Sequence, residues 1–434
     1  MLPRHFVFAT WEGGGTVPPA LTAARLLMRR GHRVRILSDA CNRAEVEAIG
    51  ATFVPWRRAP SRTSKHRDTD VIRDWEAESP EAGLARTVER IMCGPALAYA
   101  RDVLDELGRA PADAVVASEM LLGAMIAAEA AGVKLAVLGS TISLAPLQGV
   151  PPLGSGLTPA RSAAERAQHA AHAAALGAAF NRFLPVLNAA RGELQLPALG
   201  DVLDLFARAD RVLQATAAAF DFPAEHLPPN LRYVGPLLDE PETTSRWLSP
   251  WKRDDARPLV LVGFSTTYQA QRDAMERVAA ALAALAVRGV VTLGPALDDV
   301  QLTLPGDVMV CGSVRHSDVM RAASAVVTHG GHGTVMRALQ HGLPLLCLPM
   351  GRDQNDIAAR VVARGAGLRL PATASPAEIR VALGRLLVEP SYQTAARTLG
   401  RAITAEIACS HLVEELEGLV IPANRRVHPA VASA

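Results

Sequence analysis

Between residues 328 and 355 the chain reads Thr328-His329-Gly330-Gly331-His332-Gly333-Thr334, then Gly342-x-Pro344 and an apolar run to Leu348, then Asp353-Gln354-Asn355. Glycines at 330, 331 and 333 let backbone come close to a ligand, and a helix starting near His332 offers free N–H groups to an anion. A diphosphate suits that geometry. His329 adds a neutral or cationic ring donor, and Thr334 a hydroxyl beside the amides. A lone glycine cluster is more often a plain turn with a capping threonine. The strand that follows shifts the balance, because Asp353 and Gln354 fall just past its C-terminal end, the edge at which open parallel sheets bind ligands.

Such a pocket needs parallel strands and helices to carry it, and the chain alternates them. The run Phe6 to Ala9, a glycine turn (Gly13-Gly14-Gly15), a helix opening at Pro18-Pro19 and a run Val34 to Leu37 read as a βαβ start. Strands at Ala114 to Ala117 and Leu135 to Leu138 bracket a helix near Leu121 to Ala131. A second series follows: strand Leu259 to Phe264, helix Gln269 to Val287, and strands Val290 to Leu293, Val308 to Cys311 and Ala325 to Thr328. It continues with helix His332 to Gln340, strand Leu345 to Leu348 and helix Asp353 to Ala363. Helices around Ala377 to Leu387 and Ser391 to Leu419 come next, and Pro422 to Ala434 reads as frayed. The fold class is α/β, with two Rossmann-like parallel-sheet halves. Proline and charge between Pro223 and Pro258 mark a linker, placing the domains at 1–240 and 241–405, with 406–434 a C-terminal helix and tail. The Ala-rich stretch from Pro159 to about Arg191 is helical by propensity, either a wall of a second cleft or a surface hairpin.

Composition narrows the partners. With 434 residues, 49% hydrophobic and 4% aromatic, the chain can bury two aliphatic cores. A formal net charge of +2 and scattered arginines give nucleic acid no footprint, so a small-molecule substrate is expected. The five cysteines are far apart and odd in number, as in a reduced, cytoplasmic protein without a zinc site. The start lacks a signal-peptide pattern, and no apolar run reaches the ~18–20 residues of a membrane span.

The 328–355 segment resembles the donor signature of family-one, GT-B-fold glycosyltransferases, especially those of bacterial macrolide and antibiotic biosynthesis. The likeness extends to Gly31-His32-Arg33-Val34, Tyr233-Val234-Gly235-Pro236 and Gly263-Phe264-Ser265-Thr266. It implies two domains facing across a cleft, the acceptor in the first and a nucleotide sugar in the second, and the last helix returning to the first domain. His329 and the amides of Gly331, Gly333 and Thr334 would hold the diphosphate, while Asp353 and Gln354 would meet sugar hydroxyls. Ser265 and Thr266 would lie on the donor side, or merely cap the helix after Tyr268. Two departures stand out. Ser313-Val314-Arg315-His316 replaces the tryptophan that stacks on the base in plant relatives, leaving recognition to backbone at Val314 and to Arg315. Arg337 stands where those relatives place a ribose-binding glutamate, which leans the donor toward dTDP over UDP unless Arg337 is only an exposed salt-bridging residue.

O-glycosyl transfer needs a base to take the acceptor proton. Many members of the resembling family supply a histidine from the first loop, held by an aspartate about a hundred residues on. Here the loop runs Trp11-Glu12-Gly13-Gly14-Gly15-Thr16-Val17-Pro18, with Thr16 at the histidine's place and Glu119 at the aspartate's. Glu119 is favoured as base, with Glu12 as the alternative, Thr16 positioning the acceptor or relaying a proton, and His66 as a third candidate. The expectation is an inverting, metal-independent transferase moving a hexose or deoxyhexose to a hydrophobic natural product, with no cofactor besides the nucleotide sugar. Asp68-Thr69-Asp70 matches a metal-binding triplet but falls in the wrong domain. A homodimer is left open, as are a non-catalytic sugar-nucleotide-binding or auxiliary protein and a sugar-nucleotide epimerase.

Overall fold

Strand β1 (His5–Ala9) carries Phe6 and Phe8 on one side and Val7 and Ala9 on the other, and all four are buried. A strand apolar on both faces needs helices above and below it, the usual setting of a parallel sheet. The computed structural model, which describes residues 2–240, 245–252, 254–264, 267–297 and 307–420, meets that condition twice. Strands β2 (Arg33–Ser38), β3 (Thr52–Pro55), β4 (Ala114–Ser118), β5 (Lys134–Gly139), β6 (Arg211–Gln214) and β7 (Leu231–Tyr233) join β1 in one parallel sheet of order β3-β2-β1-β4-β5-β6-β7. Strands β8 (Leu259–Gly263), β9 (Arg288–Thr292), β10 (Val308–Cys311), β11 (Ala325–Thr328), β12 (Leu345–Cys347) and β13 (Gly367–Arg369) form a second, of order β10-β9-β8-β11-β12-β13. In each sheet the chain winds outward and then returns to the far side of its first strand. A crevice therefore opens at the C-terminal ends of β1 and β4, and another at β8 and β11.

Four strands have no counterpart in the sequence reading: β3, β6, β7 and β13, each only three or four residues long. That is too short for alternation to register. The helix expected from Gln269 to Val287 is shorter, Arg272–Ala283, because Ala270 takes a left-handed backbone (φ +54°) just before it. The Ala-rich stretch forms helices Ala163–Asn181 and Leu184–Glu193; the first lies on the surface with Phe180 as its buried residue. The single helix expected from Ser391 to Leu419 is two, Pro390–Ala408 and Leu412–Val420. The break is made by Ser410, whose hydroxyl donates to the Val234 carbonyl (2.5 Å) and accepts from Leu412 N (3.4 Å). The expected frayed tail from Pro422 lies outside the described residues.

That break redirects the chain end. Leu412, Leu416 and Leu419 pack into the core formed by Phe6, Phe8, Val34 and Ile36 of the first sheet. Glu417 accepts from His32 Nε2 at 2.9 Å and pairs with Arg30. Further ties join the halves. Asp221 accepts from Arg360 (2.7 Å) and Tyr233 (2.9 Å), and the Glu406 carboxylate accepts from the amides of Ala218 and Ala219. All five cysteines are free, and among the described residues no helix is long and apolar enough to cross a membrane.

Glu417 is nearly buried against His32, so removing it strands the ring's hydrogen bond. Glu417→Ala is expected to lower unfolding free energy by about 1–3 kcal/mol, measured by urea titration at pH 7. Its partners hold the carboxyl below the ordinary carboxylate range. A depressed carboxyl stabilises above its unfolded pKa, so the difference from wild type should shrink as pH falls through that range.

Candidate active site

At the end of β11 the chain turns through His329 and Gly330 into the helix His332–Gln340, with Gly331 as its N-cap residue. Gly330 has φ +93°, and a β-carbon there would stand 3.0 Å from the Gln354 carbonyl oxygen. A β-carbon on Gly331 would lie 2.5 Å from His329 Nε2, so the ring keeps its place only because residue 331 is glycine. Gly333 is different: among the described residues nothing lies within 4 Å of where its β-carbon would be. The protein's own packing does not require that glycine. The helix has no side-chain cap and no acidic residue in its first turn, which leaves its leading amides to an anion.

His329 is buried, lies 6.3 Å from Phe264 in a stacked pair, and hydrogen-bonds the backbone of Gly263. Burial, aided by the charge of Arg352, pushes its pKa down to about 3. Of the two protonation states left open by the sequence, the neutral one is found. His332 turns away to Thr216 Oγ1, 2.8 Å off in the first half. Asp353 accepts from Thr141 Oγ1 at 2.6 Å, and burial raises its pKa. The Gln354 amide faces inward: Oε1 accepts from Met350 N (2.8 Å) and Gly351 N (3.2 Å), while Nε2 donates to Gln269 Oε1 (2.9 Å). Val314 forms a bridge with Ser245, whose carbonyl accepts from Arg315 N. Arg337 does form a salt bridge, but not an exposed one. Its side chain, only 14% exposed, pairs with Glu240 at 3.4 Å and donates to the Leu238 carbonyl. Ser265 and Thr266 lie outside the described residues.

Across the cleft, Thr16 Oγ1 donates to the Trp11 carbonyl at 2.7 Å. Its proton is thereby committed to the loop, and its lone pairs remain to accept from a ligand. Glu12 is buried; Oε1 accepts from Gly14 N, and Oε2 lies 3.6 Å from Lys65 Nζ. His66 faces Asp68 at 3.1 Å, while Asp70 pairs with Arg62 and accepts from Ile72 N and Arg73 N, so the Asp-x-Asp triplet shapes its own loop. Glu119, directly past β4, is 4% exposed. Its Oε1 accepts from Ser140 N (2.9 Å) and Ser140 Oγ (3.2 Å). Burial pushes its pKa up to about 7 against those hydrogen bonds, and the charge of Asp353 adds to the rise. A carboxyl poised there can take a proton at neutral pH.

Because β1, β4 and β5 are neighbours, their C-terminal loops bring Thr16, Glu119 and Ser140-Thr141 to one edge. Ser140 holds Glu119; Thr141 holds Asp353 of the other domain. The pair is fixed from behind by Gln214, whose amide donates to the Thr141 carbonyl. A β-carbon on Gly139 would come within 2.6 Å of that amide.

Residues 276–419 match the family described as erythromycin biosynthesis protein CIII-like, C-terminal domain. Over 420 residues the chain is 29% identical to 4'-demethylrebeccamycin synthase of Lentzea aerocolonigenes, covering 95% of this chain and 98% of that protein. It is 32% identical to the TDP-daunosamine transferase of Streptomyces peucetius over 178 residues, 39% of this chain and 41% of that one. The solved structure of the glycotransferase of kitacinnamycin superposes with a TM-score of 0.75 at 22% identity, covering 97% of this chain and all (100%) of the other. A calicheamicin glycosyltransferase gives 0.69 at 23%, covering 97% and 99%. At those identities the two structures speak for the fold. The chain has the GT-B fold, and over nearly its whole length it resembles a glycosyltransferase-type synthase of natural-product biosynthesis.

The sequence reading singled out Glu119 and Asp353 separately and missed what joins them. Ser140 and Thr141 follow β5 as polar residues at the same sheet edge, which was the available signal. Arg352, next to Asp353, was not singled out. The contrast between Gly331 and Gly333 is testable. Gly331→Ala should displace His329 and lower the melting temperature. Gly333→Ala should leave melting unchanged, while weakening nucleoside diphosphate binding by about tenfold or more, since its methyl enters ligand space. Calorimetric melting and titration of the two variants check both halves.

Proposed function

We propose that this chain is an inverting, metal-independent glycosyltransferase that moves a hexose or deoxyhexose from a nucleoside diphosphate onto a hydroxyl of a hydrophobic natural product, with Glu119 as general base. The observation that carries the reading is a carboxyl of pKa about 7, held by Ser140, one residue from the Thr141 that bonds Asp353. Glu119 takes the proton of the acceptor hydroxyl as its oxygen bonds to the anomeric carbon. The bond from that carbon to the diphosphate breaks on the opposite face, and the pair of electrons leaves with the phosphate oxygen. The leading amides at Gly331, Gly333 and Thr334 receive that charge, with His329 beside them. Asp353 accepts from a sugar hydroxyl in exchange for, or alongside, Thr141. Thr16 accepts from the acceptor and so helps to aim it. Glu12, tied to Lys65 and Gly14, shapes the loop rather than serving as base. The donor is a dTDP-sugar in preference to a UDP-sugar, because residue 337 is an arginine tied to Glu240 and the Leu238 carbonyl, and no bidentate acceptor for a ribose diol comes from that side chain. The 4'-demethylrebeccamycin synthase and TDP-daunosamine transferase relatives support the natural-product and nucleotide-sugar classes.

The base assignment fixes a pH dependence. Glu119 works ionised, so kcat/KM should rise about tenfold per pH unit below pH 7 and level off above it. Glu119→Gln should flatten that profile and cut turnover at pH 8 at least roughly tenfold, while donor affinity stays near wild type. Unchanged turnover would remove Glu119 from the role, and loss of activity on chelation with EDTA would contradict metal independence. Folding stability changes in the opposite sense. A carboxyl whose folded pKa is raised stabilises below its unfolded pKa and loses that contribution as pH climbs to about 7. The burial penalty at pH 8 is on the order of 3 kcal/mol, so Glu119→Gln should melt higher than wild type at pH 8 and nearly with it at pH 5.

A further inference from the structure

The departing diphosphate carries several negative charges, yet the histidine beside the glycine turn is neutral and already bonded to the Gly263 backbone. It contributes no full charge, and the amides of the turn contribute only partial ones. A cation is reachable from another direction. Arg352 sits in the turn after β12, and its Nη1 donates to Thr267 Oγ1 (2.9 Å) in the loop after β8. In the sheet, β11 lies between β8 and β12. A side chain rooted beyond β12 and bonded beyond β8 must pass over the end of β11, where His329, Gly330 and Gly331 stand.

The backbone is shaped for that reach. Arg352 has φ +55°, a left-handed conformation that costs a non-glycine residue energy and persists only where its surroundings enforce it. Those surroundings are the Gln354 side chain, which grips the amides of Met350 and Gly351. Across the cleft, Asp74 accepts from Arg352 Nε at 2.6 Å. Trp75, next in sequence, packs edge-on to Tyr268 with ring centroids 4.9 Å apart, so the loop that brings Asp74 is itself seated on the second domain. Among the described residues Nε and Nη1 are engaged, and Nη2 is the nitrogen offered to a phosphate oxygen. The side chain is 29% exposed, and its charge is felt by both His329 and Asp353.

We propose that Arg352 is a cationic ligand of the donor diphosphate, aimed over the glycine turn by Thr267 and by Asp74 of the opposite domain. The proposal rests on the nucleotide-sugar reading of the pocket and deepens it. Asp74 neutralises the guanidinium before the donor arrives. The phosphate then shares or takes over the guanidinium, so the seating of the 67–76 loop is linked to donor occupancy.

Titration calorimetry with TDP, UDP and the corresponding monophosphates separates this role from a structural one. Wild type should bind a diphosphate; if it binds neither TDP nor UDP, the donor reading fails and this proposal with it. Arg352→Met should weaken diphosphate binding at least ~10-fold and leave monophosphate binding within about threefold, with Arg352→Lys in between. Asp74→Asn should hold or tighten diphosphate binding, because it frees the guanidinium. If wild type binds diphosphate and Arg352→Met binds it equally well, Arg352 is not a ligand while the donor reading stands. An equal loss for mono- and diphosphate would likewise overturn the proposal and assign Arg352 to support of the loop alone.

Discussion

Ser140 and Thr141 are consecutive residues with their side chains committed to different domains, and the geometry of the cleft depends on them. Ser140 binds Glu119 of the first domain through both its amide and its hydroxyl; Thr141 binds Asp353 of the second. One peptide unit therefore sets the separation between a carboxyl able to take a proton and a carboxylate able to hold a sugar. Gln214 and Gly139 keep that peptide in place from behind. Proximity of acceptor and donor is where much of the rate in a two-substrate transfer originates.

The same closeness explains the electrostatics. Desolvation raises the pKa of both Glu119 and Asp353, the charge of Asp353 adds to the rise at Glu119, and His329 is held neutral by burial. Each group is less stable in its charged form than it would be in water. Substrates that bring hydrogen bonds and opposite charge would relieve that strain, so the free cleft is a region where stability is sacrificed to reactivity. The ties that compensate lie elsewhere: Glu417 with His32, Asp221 with Arg360 and Tyr233, and Glu406 with two backbone amides. Through them Arg360, Glu406 and Glu417, all from helices of the second half of the chain, meet residues of the first half.

The two sheets were legible because β1, β4, β5, β8 and β11 are apolar runs with glycine or polar turns behind them, a pattern with one common reading. The strands that escaped were short ones such as β7 and β13, held by neighbours rather than by their own pattern. The glycine turn and Asp353 were legible by spacing. What spacing could not give was direction: that Gln354 turns inward to Gln269, that Glu12 is taken by Lys65, and that Arg337 meets Glu240 from the linker. Those outcomes depend on which partner arrives from a distant segment, and each was settled by a charge or amide that no local window contains.

The central claim, that Glu119 takes the acceptor proton, is tested most directly by varying how acidic that proton is. Turnover of wild type and Glu119→Gln should be compared across acceptors from weakly acidic alcohols to strongly acidic phenols. If Glu119 is the base, the variant's deficit is large for alcohols and closes toward wild type as the acceptor ionises on its own. A deficit of the same size for every acceptor would contradict the account and make Glu119 a residue that only holds the loop.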